Sequence, residues 1–163
     1  MAVRNCGDIG KNLQLIVKRL YKNQDLLKLL YYTDKAPLEH ENLSEDFIKN
    51  DINEKLIKVI PRVGPKETSQ SLITIAVISG SKNIENDEFD DIIITVEVFV
   101  PLTQWFIKGS NLRPFAIMGE IEKSLKNKTI NGLGKMIGGD FDLHFLTDEI
   151  GCYKMIFQIT DYD

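Results

Sequence analysis

Apolar positions along the chain change period as it proceeds. Ile9, Leu13, Ile16, Val17 and Leu20 recur at helical spacing, so this stretch is expected to be an amphipathic helix with Asp8 as its N-cap. Asn23-Gln24-Asp25 restarts a second helix carrying Leu26, Leu27, Leu29 and Leu30, which ends in residues 33–37. Ser44 stands where the cap of a short acidic turn belongs. Residues 56–63 read as extended, with Pro61 and Pro65 marking an edge or exit. Residues 72–79 and 92–100 are then expected to pair as a hairpin around a long exposed loop. The second of these strands is apolar on both faces apart from Thr95 and Glu97, as suits a central strand covered by helices on one side.

Arg113-Pro114 opens a long helix, with Pro114 suited to a first turn and Ile117, Met118, Ile121 and Leu125 as its stripe. Gly119 inside it costs ~1 kcal/mol relative to Ala, which points to close backbone approach. Asn127 and Asn131-Gly132 end the helix. Two closing strands follow, 140–146 and 152–160, in which Tyr153, Met155, Phe157 and Ile159 share one face and Cys152, Lys154 and Gln158 the other. Helices, then strands, a long helix and a strand hairpin make an α+β domain with a mostly antiparallel sheet flanked by helices. One domain over residues 1–163 is expected, with helices in 1–35 and the sheet in 55–163 around a helix at about 114–127.

The run INGLGKMIGG invites a phosphate-cradle interpretation, which its chemistry does not support. A P-loop needs Gly-Lys-Ser/Thr opening a helix, whereas Gly134-Lys135 precedes Met136 and an alternating segment. Turn geometry accounts for the glycines better. Gly132 or Gly134 would take positive φ as the helix cap, and Gly138-Gly139 would admit the chain to the next strand.

Net charge is −4, against a dedicated nucleic-acid binder, but the charge is uneven. Residues 1–35 hold seven Lys or Arg against three Asp, so the remainder carries −8. The basic positions Lys11, Lys18, Arg19 and Lys22 lie on the first helix or just past it. The acidic ones, Glu85, Asp87, Glu88, Asp90 and Asp91, concentrate in the loop between the first two long strands. That loop lacks the calcium-loop pattern, so it is expected to be solvated or partner-facing, exposed and mobile. Trp105 sits at an element end, where it serves equally as core edge or interface anchor.

Two cysteines, Cys6 and Cys152, match no zinc or redox spacing and fit free thiols in a reducing cytoplasm. His40 lies between Glu39 and Glu41, and His144 shares a strand face with Asp142, but neither set supplies converging metal ligands. Cys152 facing His144 across the terminal hairpin is the one conceivable nucleophile–base pair, and it has no third orienting group. No apolar run approaches the roughly 20 residues of a membrane span, and the N-terminus lacks a signal-type apolar region. No catalytic residue, metal site or cofactor is expected.

From residue 98 onward the chain reads VFVPLTQWFIKGSNLRPFAIMGEIEKSLKNKTINGLGKMIGGDFDLHFLTDEIGCYKMIFQITDYD. A strand ending in VP and a Trp, an LRP helix, an N-K-x-I-N-G-x-G turn and a closing hairpin resemble the tail terminator and head-to-tail joining (neck) proteins of tailed bacteriophages and phage-derived particles. The resemblance covers roughly residues 72–160. It implies a structural, non-enzymatic virion protein assembled in the host cytoplasm, forming a ring, commonly a hexamer, that caps the tail tube and meets the head connector. Its implied partners are further copies of itself, the tail tube protein, neck proteins and genome DNA crossing the lumen without specific binding, with no membrane. The basic helix and the acidic loop then suit complementary patches on neighbouring copies. A head-completion adaptor, a small α+β enzyme or ligand-binding domain using His144 and Cys152, and a regulatory interaction module are the alternatives.

Overall fold

A computed structural model describes residues 5–60, 69–85, 88–130 and 134–160. It is an α+β fold with the expected order of elements. Helix α1 spans Cys6–Leu20 and α2 spans Gln24–Tyr31. A short helix α3, Glu45–Phe47, continues into a wider π-type turn, Ile48–Ile52. Strands β1 (Ile57–Lys58), β2 (Leu72–Lys82) and β3 (Phe89–Pro101) follow. A miniature hairpin of β4 (Phe106–Ile107) and β5 (Asn111–Leu112) leads into α4, Arg113–Leu125. Strands β6 (Thr129–Ile130), β7 (Gly134–Leu146) and β8 (Ile150–Thr160) complete the main sheet. Its six strands are ordered β1-β2-β3-β8-β7-β6, and only the β1–β2 pair is parallel.

The apolar pattern explains the layering. Ile92, Ile94, Val96, Val98 and Val100 alternate along β3 toward the helices. Their register brings Ile94 opposite Phe157 and Val96 opposite Met155 on β8. Leu13, Ile16 and Leu20 of α1, Leu26, Leu27 and Leu30 of α2, and Ile117 and Ile121 of α4 close that core. The opposite face holds a smaller buried cluster of Leu72, Phe99, Ile150 and Cys152.

Several local expectations are corrected. The N-cap of α1 is Asn5, whose side chain accepts from the Asp8 N–H, so Asp8 lies inside the first turn. Ser44 caps α3 as expected, accepting from the Phe47 N–H, and Asn23 is the cap of α2, accepting from the Leu26 N–H. The loop between β2 and β3 is shorter than its composition suggests. Lys82 pairs with Phe89 and Ser81 with Asp91, because the aromatic ring and alternating polar residues extend the ladder. Pro61 and Pro65 lie outside the described residues, as do Asn131 and Gly132.

The glycines also take different roles. Gly134 has φ +90°, but it starts β7 opposite Ile130 rather than capping α4. The left-handed residue after α4 is Asn127, φ +56°. Gly138 and Gly139, at φ +106° and +101°, make a bulge within β7, where the register skips from Gly138–Phe157 to Asp140–Ile156. Nothing lies within 4 Å of a Cβ built on Gly119, so close packing does not explain that residue.

Candidate interaction surface

The sheet presents unequal edges. β6 covers β7 only at Lys135 and Gly134, paired with Thr129 and Ile130. From Asp140 onward β7 pairs with β8 on one side and, among the described residues, with no strand on the other. Residues 140–149 are exposed throughout. Phe141 is 50 % exposed, Leu143 53 % and Leu146 61 %, values unusual for apolar side chains in consecutive reach of one another. Among the described residues no further strand pairs with this edge of β7, so its outward N–H and C=O groups are open to a partner strand.

This edge continues into an aromatic patch beside α4. Phe115 packs edge-on against Phe141, with centroids 5.9 Å apart, and Tyr153 lies 5.1 Å from Phe115 and 6.2 Å from Trp105. Trp105 is half-buried, so it is a wall of the patch rather than a protruding anchor, and the more exposed ring is the adjacent Phe106. Trp105 lies over Gly151, where a Cβ would come within 2.4 Å of the indole. The sequence singled out Trp105 but gave no sign of Phe106, Phe115 or Phe141, since a partner strand or helix normally covers such rings.

At the opposite edge of the sheet a groove of about 970 Å³ opens between α1, the α3–π segment and β1. Its apolar floor includes Val17, Ile48, Ile57 and Val59. Lys18, Lys22, Lys49 and Lys58 stand around it against Glu45 and Glu54. The Tyr21 hydroxyl donates to the Ile52 carbonyl and accepts from the Glu54 N–H, which fixes the π-type turn as one wall. Burial pushes the Tyr21 phenol upward in pKa, so it stays neutral.

The basic positions singled out by sequence divide accordingly. Lys18 and Lys22 line the groove. Arg19 points inward, donating from Nε to the Ser124 carbonyl at 2.6 Å and tying α1 to α4. Lys11 is exposed, 4.0 Å from Asp8. Among the acids, Glu85 is exposed in a turn whose Asn83 side chain accepts from the Glu85 N–H. Asp91 belongs to β3 and accepts from Gln158 at 2.6 Å. Glu88 is half-buried, Asp90 lies in β3 and Asp87 falls outside the described residues.

The contacts of His144 and Cys152 are to other groups, with the Cys152 thiol donating to the Tyr153 carbonyl at 3.7 Å. The His144 ring nitrogen Nε2 faces Glu97 at 3.4 Å, and Glu97 also accepts from the Thr74 hydroxyl. Cys152 is fully buried among Leu72, Phe99 and Ile150, and burial first, then the Glu97 charge, push its thiol up to about 12. A thiol in that setting is a packing group rather than a nucleophile. His40 stacks on Tyr32 and shares a 2.7 Å hydrogen bond with Asp34 on the surface. Among the described residues no group of three His, Cys, Asp or Glu is arranged to hold a metal, and no helix is long and apolar enough to cross a membrane.

A protein-family model described as YomW matches residues 23–159, from the start of α2 through almost all of β8. No curated protein matches the chain.

Proposed function

We propose, from the premise that the chain belongs to the phage-associated YomW family, that it is a structural protein of the phage neck or tail. Identical copies close into a ring that terminates the tail tube and joins it to the head connector. The single observation carrying the proposal is the exposed apolar edge of β7, where Phe141, Leu143, Phe145 and Leu146 meet solvent on a strand paired, among the described residues, on one side only. A chain working alone gains nothing from such an edge and is exposed to misassembly by it. A ring subunit needs it, because a cyclic interface joins two different patches of the same chain.

The resemblance of residues 72–160 to tail terminators suggests the position in the particle. The proposed role needs no catalytic residue and no cofactor. The tail tube protein contacts one rim of the ring, neck proteins the other, and genome DNA passes through the lumen.

Negative-stain microscopy with mass photometry tests this on the purified protein, alone and with the tail tube protein of the same phage. Closed rings of uniform copy number are expected, seated at the tube end when tubes are present. A strict monomer in both samples overturns the proposal. Rings that bind the head connector but ignore the tube favour the head-completion adaptor instead.

A further inference from the structure

Cross-strand rows run through β3, β8 and β7 and stop at the open edge of β7. Glu97 on β3 stands opposite Lys154 on β8, and Lys154 stands opposite Asp142 on β7. That row alternates carboxylate, ammonium, carboxylate, and ends at Asp142. On the same face Thr95 stands opposite Ile156, and Ile156 opposite Asp140. The rows on the α4 face are apolar or aromatic: Val96, Met155 and Phe141, then Val98, Tyr153 and Leu143. Residues 140–143 keep unbroken register with β8, and the next irregularity falls between Leu143 and Phe145. Residues 136–149 hold Asp140, Asp142, Asp148 and Glu149 with no Lys or Arg. Among the described residues neither Asp140 nor Asp142 has a side-chain ion pair or hydrogen bond.

We infer that the edge of β7 takes up an extended segment of a partner protein in which Lys or Arg alternates with apolar residues. In strand addition, main-chain hydrogen bonds supply affinity and alternate side chains supply specificity. Here the rows set the specificity. A cation beside Asp142 continues the alternation that Glu97 and Lys154 begin, and a second cation beside Asp140 neutralises that carboxylate. Apolar residues beside Phe141 and Leu143 cover side chains that stand half exposed. An acidic segment sets like charges side by side and is rejected. This chain contains no such run: its only Lys or Arg at alternate positions are Lys126 and Lys128, separated by Asn127 rather than by an apolar residue. The segment therefore comes from a different protein. This goes beyond the ring proposed above, since the added strand uses the main-chain edge of β7 and leaves the Phe115–Phe141 patch on the α4 side to the next copy.

Peptide titration on the full-length chain tests this. The probe is a soluble, fluorescently labelled peptide of Lys-Val repeats. Its controls carry Glu in place of each Lys, the same residues sorted into a lysine block and a valine block, or N-methylated amides along one edge. Hydrogen exchange locates the bound probe. The alternating peptide is expected to bind and to protect main-chain amides within residues 140–146. Each control is expected to bind about tenfold more weakly or worse. Asp140→Lys with Asp142→Lys, both at exposed positions, is expected to weaken the alternating peptide about tenfold or more and to favour the Glu peptide. Circular dichroism and thermal melting verify that this variant folds like the parent, and the peptide controls need no variant at all.

The outcomes separate strand addition from the ring. A block or N-methylated peptide that binds as tightly as the alternating one reduces the contact to bulk charge and overturns the inference. Protection that falls outside residues 140–146, or no binding up to millimolar peptide, overturns it as well. Rings that form while the peptide is ignored overturn strand addition and leave the ring standing. A chain that takes the peptide at this edge but stays monomeric, alone and with tubes, overturns the ring and leaves strand addition standing.

Discussion

The guanidinium Nη1 of Arg113 donates to the carbonyl of Leu29 at 2.6 Å, across 84 positions of sequence. The same nitrogen reaches the Tyr32 carbonyl, Nε reaches that of Gln104, and Nη2 that of Asp34. Arg113 is fully buried, with no carboxylate among these hydrogen-bond partners. Burial lowers its pKa, with the Asp34 charge opposing, but an arginine retains its proton. The Leu29 carbonyl belongs to the last turn of α2, where carbonyls lack helical partners and the helix dipole favours a cation. One side chain therefore closes α2, the β4 approach and the start of α4 together.

Replacing Arg113 by Ala or Leu is expected to destabilise by roughly 3 kcal/mol or more, because several buried carbonyls lose a charged donor at once. Arg113→Lys is expected to recover little, since an ammonium does not span a planar fork of acceptors. Urea unfolding measures both. A loss under 1 kcal/mol for the Ala variant removes Arg113 from this role.

Gly151→Ala drives a methyl into the Trp105 indole, whose Cζ3 and Cη2 lie 2.4 and 2.5 Å from the added carbon. The expected cost is about 1–3 kcal/mol of overpacking. Trp105 is the only tryptophan, so its emission reports the displacement directly, with a red shift expected. Unchanged emission in a folded variant contradicts the packing described.

Two glycines are expected to respond with opposite signs. At Gly138 a Cβ comes within 2.8 Å of the Ile156 carbonyl oxygen at φ +106°, so Gly138→Ala should cost about 2 kcal/mol or more. At Gly119, helical and facing open space, Ala should stabilise by about 0.5–1 kcal/mol. Thermal melts of the two variants are compared with the parent. Equal signs for the two changes rule out the bulge as the source of strain.

The two thiols are expected to separate sharply. Cys6 is exposed, whereas Cys152 is fully buried with its pKa pushed up to about 12. A colorimetric disulfide reagent at neutral pH should modify one thiol in the native protein and the second only in denaturant. Rapid native reaction of Cys152 revives the nucleophile assignment.

Asp34 has a lowered pKa, chiefly because its carboxylate accepts from the Ala36 N–H and also from His40. A carboxyl whose pKa is lower in the folded state adds stability above its unfolded value and loses it as pH falls through the folded one. Asp34→Asn is therefore expected to lower Tm slightly at pH 7, with the difference closing below about pH 4. A difference that grows on acidification reverses the sign and refutes the assignment.

Periodicity carried much of the architecture. The stripes of α1, α2 and α4 and the shared face of Tyr153, Met155, Phe157 and Ile159 were legible because burial of one face selects a repeat. Ser44 was legible as a cap because its chemistry is local. Arg113 was not, since its partners are backbone carbonyls that leave no mark on residue type. The free edge of β7 was hidden for another reason. Phe141, Leu143 and Phe145 read as ordinary strand residues, and only the order β8-β7-β6, with β6 two residues long, leaves them uncovered. Arg19 misled in the opposite sense, because a basic residue on a helix reads as solvent-facing while its Nε is anchored to Ser124.

Asp140 and Asp142 alternate with Phe141 and Leu143 along the uncovered strand. If two copies laid their β7 edges side by side, these acids would be brought near their own counterparts, in a contact with no lysine or arginine from residues 136–149 to neutralise them. The edge is thus open to strangers and closed to itself. The same two carboxylates act as gatekeepers, opposing the stacking of like strands on that edge without covering it.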